Sequence, residues 1–382
     1  MLETLFFVSL FLVFFAYFGY PLTLLAGSTV RRRDQRPVQP PSTAELPQVT
    51  LIVTAYNEEQ RIRAKLENSL ALDYPADRLE ILVASDGSTD ATDGIVAEYA
   101  ERGVRLVPLA IRGGKEAAQK EAVAQSQGEI LVFSDVATRL EPDGLRQIVS
   151  NFADPAIGCV SSVDRVLGPD GKPTGEGLYV RYEMWLRNLE SRFHSLVGLS
   201  GSFFAARREV CQDFSAEMQS DFRTLLNSMR LGLRGVSDPR AVGYYQDLSD
   251  GRREFDRKVR TVLRGLTVFF RNLEFLNGAR YGIFSYQYFC HKLLRWLVPF
   301  LLLAALLANL LLVPGSSVYL VLFAAQCGFY LAGAWRYGRG AWKESLPFKL
   351  PRYFLTVNLA IAVAWWRYLR GNRLVMWTPS ER

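Results

Sequence analysis

The chain has 382 residues, 49% apolar and 22% charged, a length that calls for two or three structural units. Charge is unevenly spread: none falls between Glu3 and Arg31 or between Arg295 and Arg336, while the region between these runs is charged like a soluble enzyme. The pattern excludes a simple secreted or cytosolic protein and a many-span transporter. The formal charge of +7 suits an anionic membrane surface or a phosphorylated ligand and is too dispersed for nucleic acid.

Residues 5–27 are apolar and longer than the roughly 20 residues that cross a bilayer. They lack a basic flank before them and a small-residue cleavage site, so residues 1–30 read as a retained transmembrane helix. Arg31, Arg32 and Arg33 follow and place the next domain in the cytoplasm. The Pro-rich stretch that completes 31–46 reads as a linker.

From Pro47 short apolar strands alternate with helical stretches. Strands are expected at 49–55, 79–85, 104–109 and 129–135, with helices between them, the last ending at Gly128. This alternation predicts an α/β domain over 47–250 with a mostly parallel sheet, which binds ligands at the carboxyl ends of its strands. Residues 179–198 predict an interfacial or core helix, and the basic stretch 251–295 predicts interfacial helices. The uncharged run 296–335, broken by Pro314, Gly315, Ser316 and Ser317, predicts a transmembrane hairpin. In 336–382 a cytoplasmic loop and a basic tail flank the apolar residues 353–366. These 14 residues would form a helix about 21 Å long, either a short span or an interfacial helix.

The four cysteines, Cys159, Cys211, Cys290 and Cys327, show no metal or disulfide spacing and suit a reducing compartment. His194 and His291 lie near no nucleophile signature and suit core or interfacial roles. At the expected strand ends stand Thr54-Ala55-Tyr56-Asn57-Glu58, Ser85-Asp86-Gly87-Ser88-Thr89-Asp90, Arg112-Gly113-Gly114-Lys115 and Asp135-Val136-Ala137. A single aspartate there suits a turn or a helix cap. Two, with a Gly-Gly-Lys nearby, point to a nucleotide and divalent-metal site. GxGxxG and GxxxxGK[ST] are both absent, which excludes a typical dinucleotide fold and a P-loop.

The ordered set TAYNEE, DGSTD, GGK and FSD resembles the family 2 inverting glycosyltransferases of the GT-A fold, whose membrane-bound members include cellulose, hyaluronan and chitin-type synthases. The resemblance covers residues 47 to 265. It implies that Ala55 and Tyr56 flank the uracil of a UDP-sugar, that Glu58 lies beside the nucleoside, that Asp86 bonds the base, and that Lys115 meets the diphosphate. Asp135 matches the first acid of the DxD motif, which helps hold Mg²⁺ or Mn²⁺; the second acid is replaced by Ala137. Gly201 and Ser202 match the segment that borders the acceptor pocket. Asp221 matches the general base, although a helix cap is the plainer role for an aspartate there. Arg260 matches the arginine of QxxRW and suits a leaving diphosphate, while Thr261 stands in place of the tryptophan that supports a growing polymer.

The resemblance therefore implies an inverting transferase in the plasma or inner membrane, moving a sugar from a nucleotide donor to a glycan or lipid-linked acceptor. A second copy of the chain or an export partner would accompany it, and nucleic acid would not. A polyprenyl-phosphate sugar transferase, a processive polysaccharide synthase and a non-catalytic nucleotide-sensing scaffold remain as alternatives.

Overall fold

The computed structural model describes residues 1–30, 46–168, 178–246, 251–334 and 346–373. Arg31–Arg33, almost all of the expected linker, Arg336, Arg339, Lys343 and the tail from 374 lie outside the described residues. The chain divides into two units: Leu25–Ser249, and Met1–Leu24 with Asp250–Arg373.

The chain begins with α1 (Leu2–Phe14) and α2 (Tyr20–Val30), joined through one π-helical turn into a continuous helix. The elements of the larger unit follow. β1 (Val49–Ala55), α3 (Ile62–Leu70), β2 (Leu79–Ser85), α4 (Thr92–Ala97), β3 (Val104–Pro108), α5 (Lys115–Gln125) and β4 (Ile130–Asp135) realise the expected alternation. After them come β5 (Arg139–Leu140), α6 (Gly144–Ser150), β6 (Ile157–Leu167), α7 (Leu178–Phe193), β7 (Phe203–Arg207), α8 (Ser220–Arg230) and β8 (Arg234–Gln246). Together the strands make one eight-stranded sheet in the order β3-β2-β1-β4-β7-β6-β8-β5. The β3-β2-β1-β4 half is parallel, β7 runs antiparallel to both β4 and β6, and β8 returns parallel to β6.

All seven residues of β1 are buried, as the middle strand of a parallel half covered on both faces must be. Leu51, Val53, Val83, Val132 and Phe203 anchor the apolar core. Helix α5 ends at Gln125, before the expected stop at Gly128. Gly128 instead meets β1 backbone to backbone: a Cβ there would lie 2.3 Å from the amide nitrogen of Thr50. Helix α7 buries Leu186, Leu189, Glu190 and Ser191, as the core reading expects, and leaves Trp185 exposed.

In the other unit, α9 (Gly251–Phe270) is amphipathic, and a short α10 (Gly278–Tyr281) leads to α11 (Ile283–Tyr288) and α12 (Arg295–Leu312), which join through a π turn. A turn at Val313–Gly315 leads to α13 (Ser317–Ala334), and α14 (Leu346–Leu369) closes the described chain. Phe6 of α1 is buried against Ala305 and Ala308 of α12. Helix α14 packs on α9, with Phe270 against Trp365 and Tyr368, and on α13, where Gly333 admits Leu355.

Among the described residues three helical stretches are long and apolar enough to cross a membrane: Leu2–Val30, Ile283–Gly315 and Ser317–Ala334. Phe7, Phe11, Phe18, Leu303, Leu307, Leu311 and Val321 on them are exposed, the pattern of side chains solvated by lipid. Two sequence expectations change here. The apolar run from 296 is the latter part of a longer helical stretch, Ile283–Gly315, which also carries Lys292 and Arg295. Residues 353–366 form the middle of a 24-residue helix about 36 Å long rather than a helix of 14.

Candidate active site

The sequence motifs fold into loops that lock one another. Asn57, in a left-handed conformation (φ 51°), accepts the Thr89 N–H at 2.8 Å and donates its own N–H to Ser88 Oγ at 3.2 Å. Glu58 N–H donates to Thr92 Oγ1 at 2.7 Å, and Glu59 N–H to Asp90 Oδ2 at 3.1 Å. The TAYNEE and DGSTD segments therefore hold each other at the ends of β1 and β2. The Glu58 side chain is buried and forms an ion pair with Arg61 Nε at 2.8 Å. Burial pushes its carboxyl above the ordinary range, against the pull of Arg61.

Asp86 is fully buried, and its carboxylate accepts the N–H groups of Gly113 and Gly114 at 2.7–2.9 Å. In this state it anchors the turn that launches α5. The Arg112 guanidinium, just before that turn, lies 3.8 Å from the ring centroid of Tyr56 and 3.8 Å from Asp86. The Tyr56 face expected to border a base is thus covered by a cation, which a nucleotide would displace or join.

Lys115 is the first residue of α5, and its Nζ donates to Asp135 Oδ1 at 2.5 Å and to the Gly201 carbonyl at 2.9 Å. Asp135 closes β4, and its own N–H donates to the Ser202 carbonyl at 3.0 Å. On the other side of the 200–202 turn sits Asp221, in the first turn of α8. A Cβ at Gly201 would lie 2.8 Å from Asp221 Oδ2. Asp221 is not the helix cap: that position is Gln219, whose side-chain amide donates to Asp221 Oδ2 at 3.0 Å while the Phe222 N–H donates to Oδ1 at 2.7 Å.

The structure thus gathers Lys115, Asp135, Gly201, Ser202 and Asp221 around one turn, with Ala55, Tyr56, Glu58 and Asp86 at the neighbouring strand ends. Arg260 stands on α9 in the other unit, where burial and the nearby Arg264 and Arg257 lower its pKa.

Three residues were missed by the sequence reading. Asp164, on β6, accepts the hydroxyls of Ser200 and Ser202 and so braces both ends of the turn around Gly201. It lies in a polar stretch without a motif. Lys65, on α3, is buried and donates to Ser134 Oγ at 2.7 Å and the Thr138 carbonyl at 2.6 Å, beside Asp135. Burial lowers its pKa to about 7, opposed by Asp135. Arg112 was signalled only by its place before Gly113-Gly114.

The divalent cation that the family implies does not fit the residues present. Ala137 offers no oxygen, Asp135 already meets Lys115, and among the described residues no three His, Cys, Asp or Glu side chains converge to hold a metal. The positive charge at this strand end is the Lys115 ammonium.

Residues 50–214 match the family described as Glycosyl transferase family 2. The chain carries a family 2 glycosyltransferase domain. The Beta-monoglucosyldiacylglycerol synthase of Synechocystis sp. is 37% identical over 123 residues, 31% of this chain and 26% of that protein. The probable glycosyltransferase YdaM of Bacillus subtilis is 26% identical over 262 residues, 64% of this chain and 62% of that protein. The chain therefore spans less than two thirds of these relatives. Among solved structures, the mannosyltransferase PcManGT from Pyrobaculum calidifontis, in complex with GDP-Man and Mn²⁺, superposes with a TM-score of 0.74 at 24% identity, covering 98% of this chain and 100% of that one. The fold of this transferase domain is GT-A, with a mixed, mostly parallel sheet.

Proposed function

We propose that the chain is an inverting glycosyltransferase that moves a sugar from a nucleotide-diphosphate donor, a UDP-sugar, to a hydroxyl of a lipid-linked or glycan acceptor at the membrane. The observation that carries this reading is the convergence of Lys115, Asp135 and Asp221 on the 200–202 turn.

Asp221 accepts the proton of the acceptor hydroxyl. The freed oxygen attacks the anomeric carbon opposite the diphosphate; one C–O bond forms as the C–O bond to phosphate breaks, and configuration inverts. Lys115 meets the negative charge developing on the leaving diphosphate. With Asp135 held by Lys115 and no oxygen at Ala137, nucleotide binding is expected not to require Mn²⁺ or Mg²⁺.

Relatives named as glucosyldiacylglycerol, succinoglycan and poly-N-acetylglucosamine synthesis proteins support a lipid or glycan acceptor. The apolar helices support an integral membrane protein, and the Arg31–Arg33 cluster in the sequence supports a transferase domain on the cytoplasmic side. Purified protein is incubated with UDP- and GDP-sugars and membrane extract, and released nucleotide is measured. Turnover with a UDP-sugar, lost in Asp221→Asn while UDP still binds, supports the reading. Turnover unchanged in that variant refutes Asp221 as the base.

A further inference from the structure

A pocket of about 300 Å³ opens in the transferase domain between α3, the 136–139 turn and the end of β8. It lies at the small end of the range for ligand sites. Its lining carries the cations Arg61, Lys65 and Arg139 and no carboxylate. Glu58 and Glu141 reach Arg61 and Tyr244 from outside the lining.

Two residues of this lining each hold a polar atom that is sealed from solvent and has no hydrogen-bond partner. One is Oγ1 of Thr138, a residue only 1% exposed, and the other is Nη1 of Arg61, whose Nε is held by Glu58. Lys65 spends two of its three N–H donors on Ser134 and Thr138. Tyr244, Tyr245, Val136 and Leu167 supply apolar walls, and the Arg139 guanidinium lies 5.4 Å from the Tyr244 ring centroid.

A lining with three basic side chains and no carboxylate asks for an acceptor carrying negative charge. Flat apolar walls beside them suit the C–H face of a sugar ring. Ala137 forms part of the wall. An aspartate at that position would set a like charge against any anion in the pocket, so the alanine that offers a cation no oxygen also makes this wall tolerate an anion.

We propose that this pocket binds an anionic sugar unit, a hexose bearing a carboxylate or a phosphate. The anion preference rests on the pocket alone; the choice of a sugar rests on the transferase reading above.

The test is calorimetry on the full chain in detergent, titrated with glucuronate, glucose 6-phosphate and neutral glucose, with and without saturating UDP. At least one acidic sugar should bind, at least tenfold tighter than glucose, and the two acids separate a carboxylate from a phosphate site. Ala137→Asp and Arg139→Gln should each weaken that binding at least tenfold, and Arg139→Gln should leave UDP affinity unchanged. Three results overturn the proposal: no acidic sugar binds, glucose binds as tightly, or affinity is unaltered in Ala137→Asp. Competition by UDP overturns it as well, because the pocket would then be an extension of the donor site. Loss of the transferase reading would show separately, as absent UDP and GDP binding in the same preparation.

Discussion

Gly201→Ala is the smallest change that should move the proposed base. The new Cβ would lie 2.8 Å from Asp221 Oδ2, while ordinary contact begins near 3.4 Å, so the carboxylate must retreat by about 0.6 Å. A misplacement of about 1 Å in a reacting group costs on the order of 100-fold, so about tenfold in kcat is expected, near 1.4 kcal/mol. The carbonyl that Lys115 uses is backbone and survives the substitution, so nucleotide affinity should stay within about twofold. The assay pairs initial rates at saturating donor and acceptor with calorimetric binding of UDP. Wild-type kcat in a folded Gly201→Ala protein would refute the argument that Asp221 acts from this position. An equal loss of UDP affinity would mean that the turn serves the donor instead.

Asp164→Ala removes the acceptor of the Ser200 and Ser202 hydroxyls and should lower kcat by roughly tenfold with UDP affinity retained, read in the same two assays; wild-type turnover would discard Asp164 as a positioning residue. Gly128→Ala forces a Cβ against the Thr50 and Val49 backbone and should destabilise the domain by about 1–3 kcal/mol or more, visible as a lower melting temperature. Lys65 titrates near pH 7 when folded against 10.5 when unfolded, so between these values the unfolded chain holds a proton that the folded chain lacks. Stability should therefore rise with pH across that window, by at most about 1.4 kcal/mol per unit, with the full penalty present below pH 7. Melting of the wild type against Lys65→Met from pH 7 to 9 would show this slope, and parallel curves would contradict it.

The parallel half of the sheet was legible because a strand buried on both faces must be apolar throughout, and 49–55 and 79–85 matched to the residue. The antiparallel half was not. Strand β8 carries two glycines and Pro239, and its pairing with β6 slips register twice, so no alternation marks it. Lys65 hid for a related reason: on α3 it reads as a solvated lysine, and only the return of Thr138 over the helix buries it. The strand-end motifs announce themselves locally, whereas Asp164 acts across 36 residues of chain on Ser200.

The helix pair α1 and α12 carries a consequence for biosynthesis. The unit they share is discontinuous, its two parts separated by the 225 residues from Leu25 to Ser249. At about 5–20 residues per second, translation takes roughly 15–60 s to proceed from α1 to α12. Throughout that interval Phe6 and Ala16 lack the helix that later buries them and face lipid or an insertion factor. The transferase domain emerges and folds on a tether whose anchor is half built, so a ribosome stalled before residue 295 would leave a folded domain on a solitary helix, a natural substrate for membrane proteolysis.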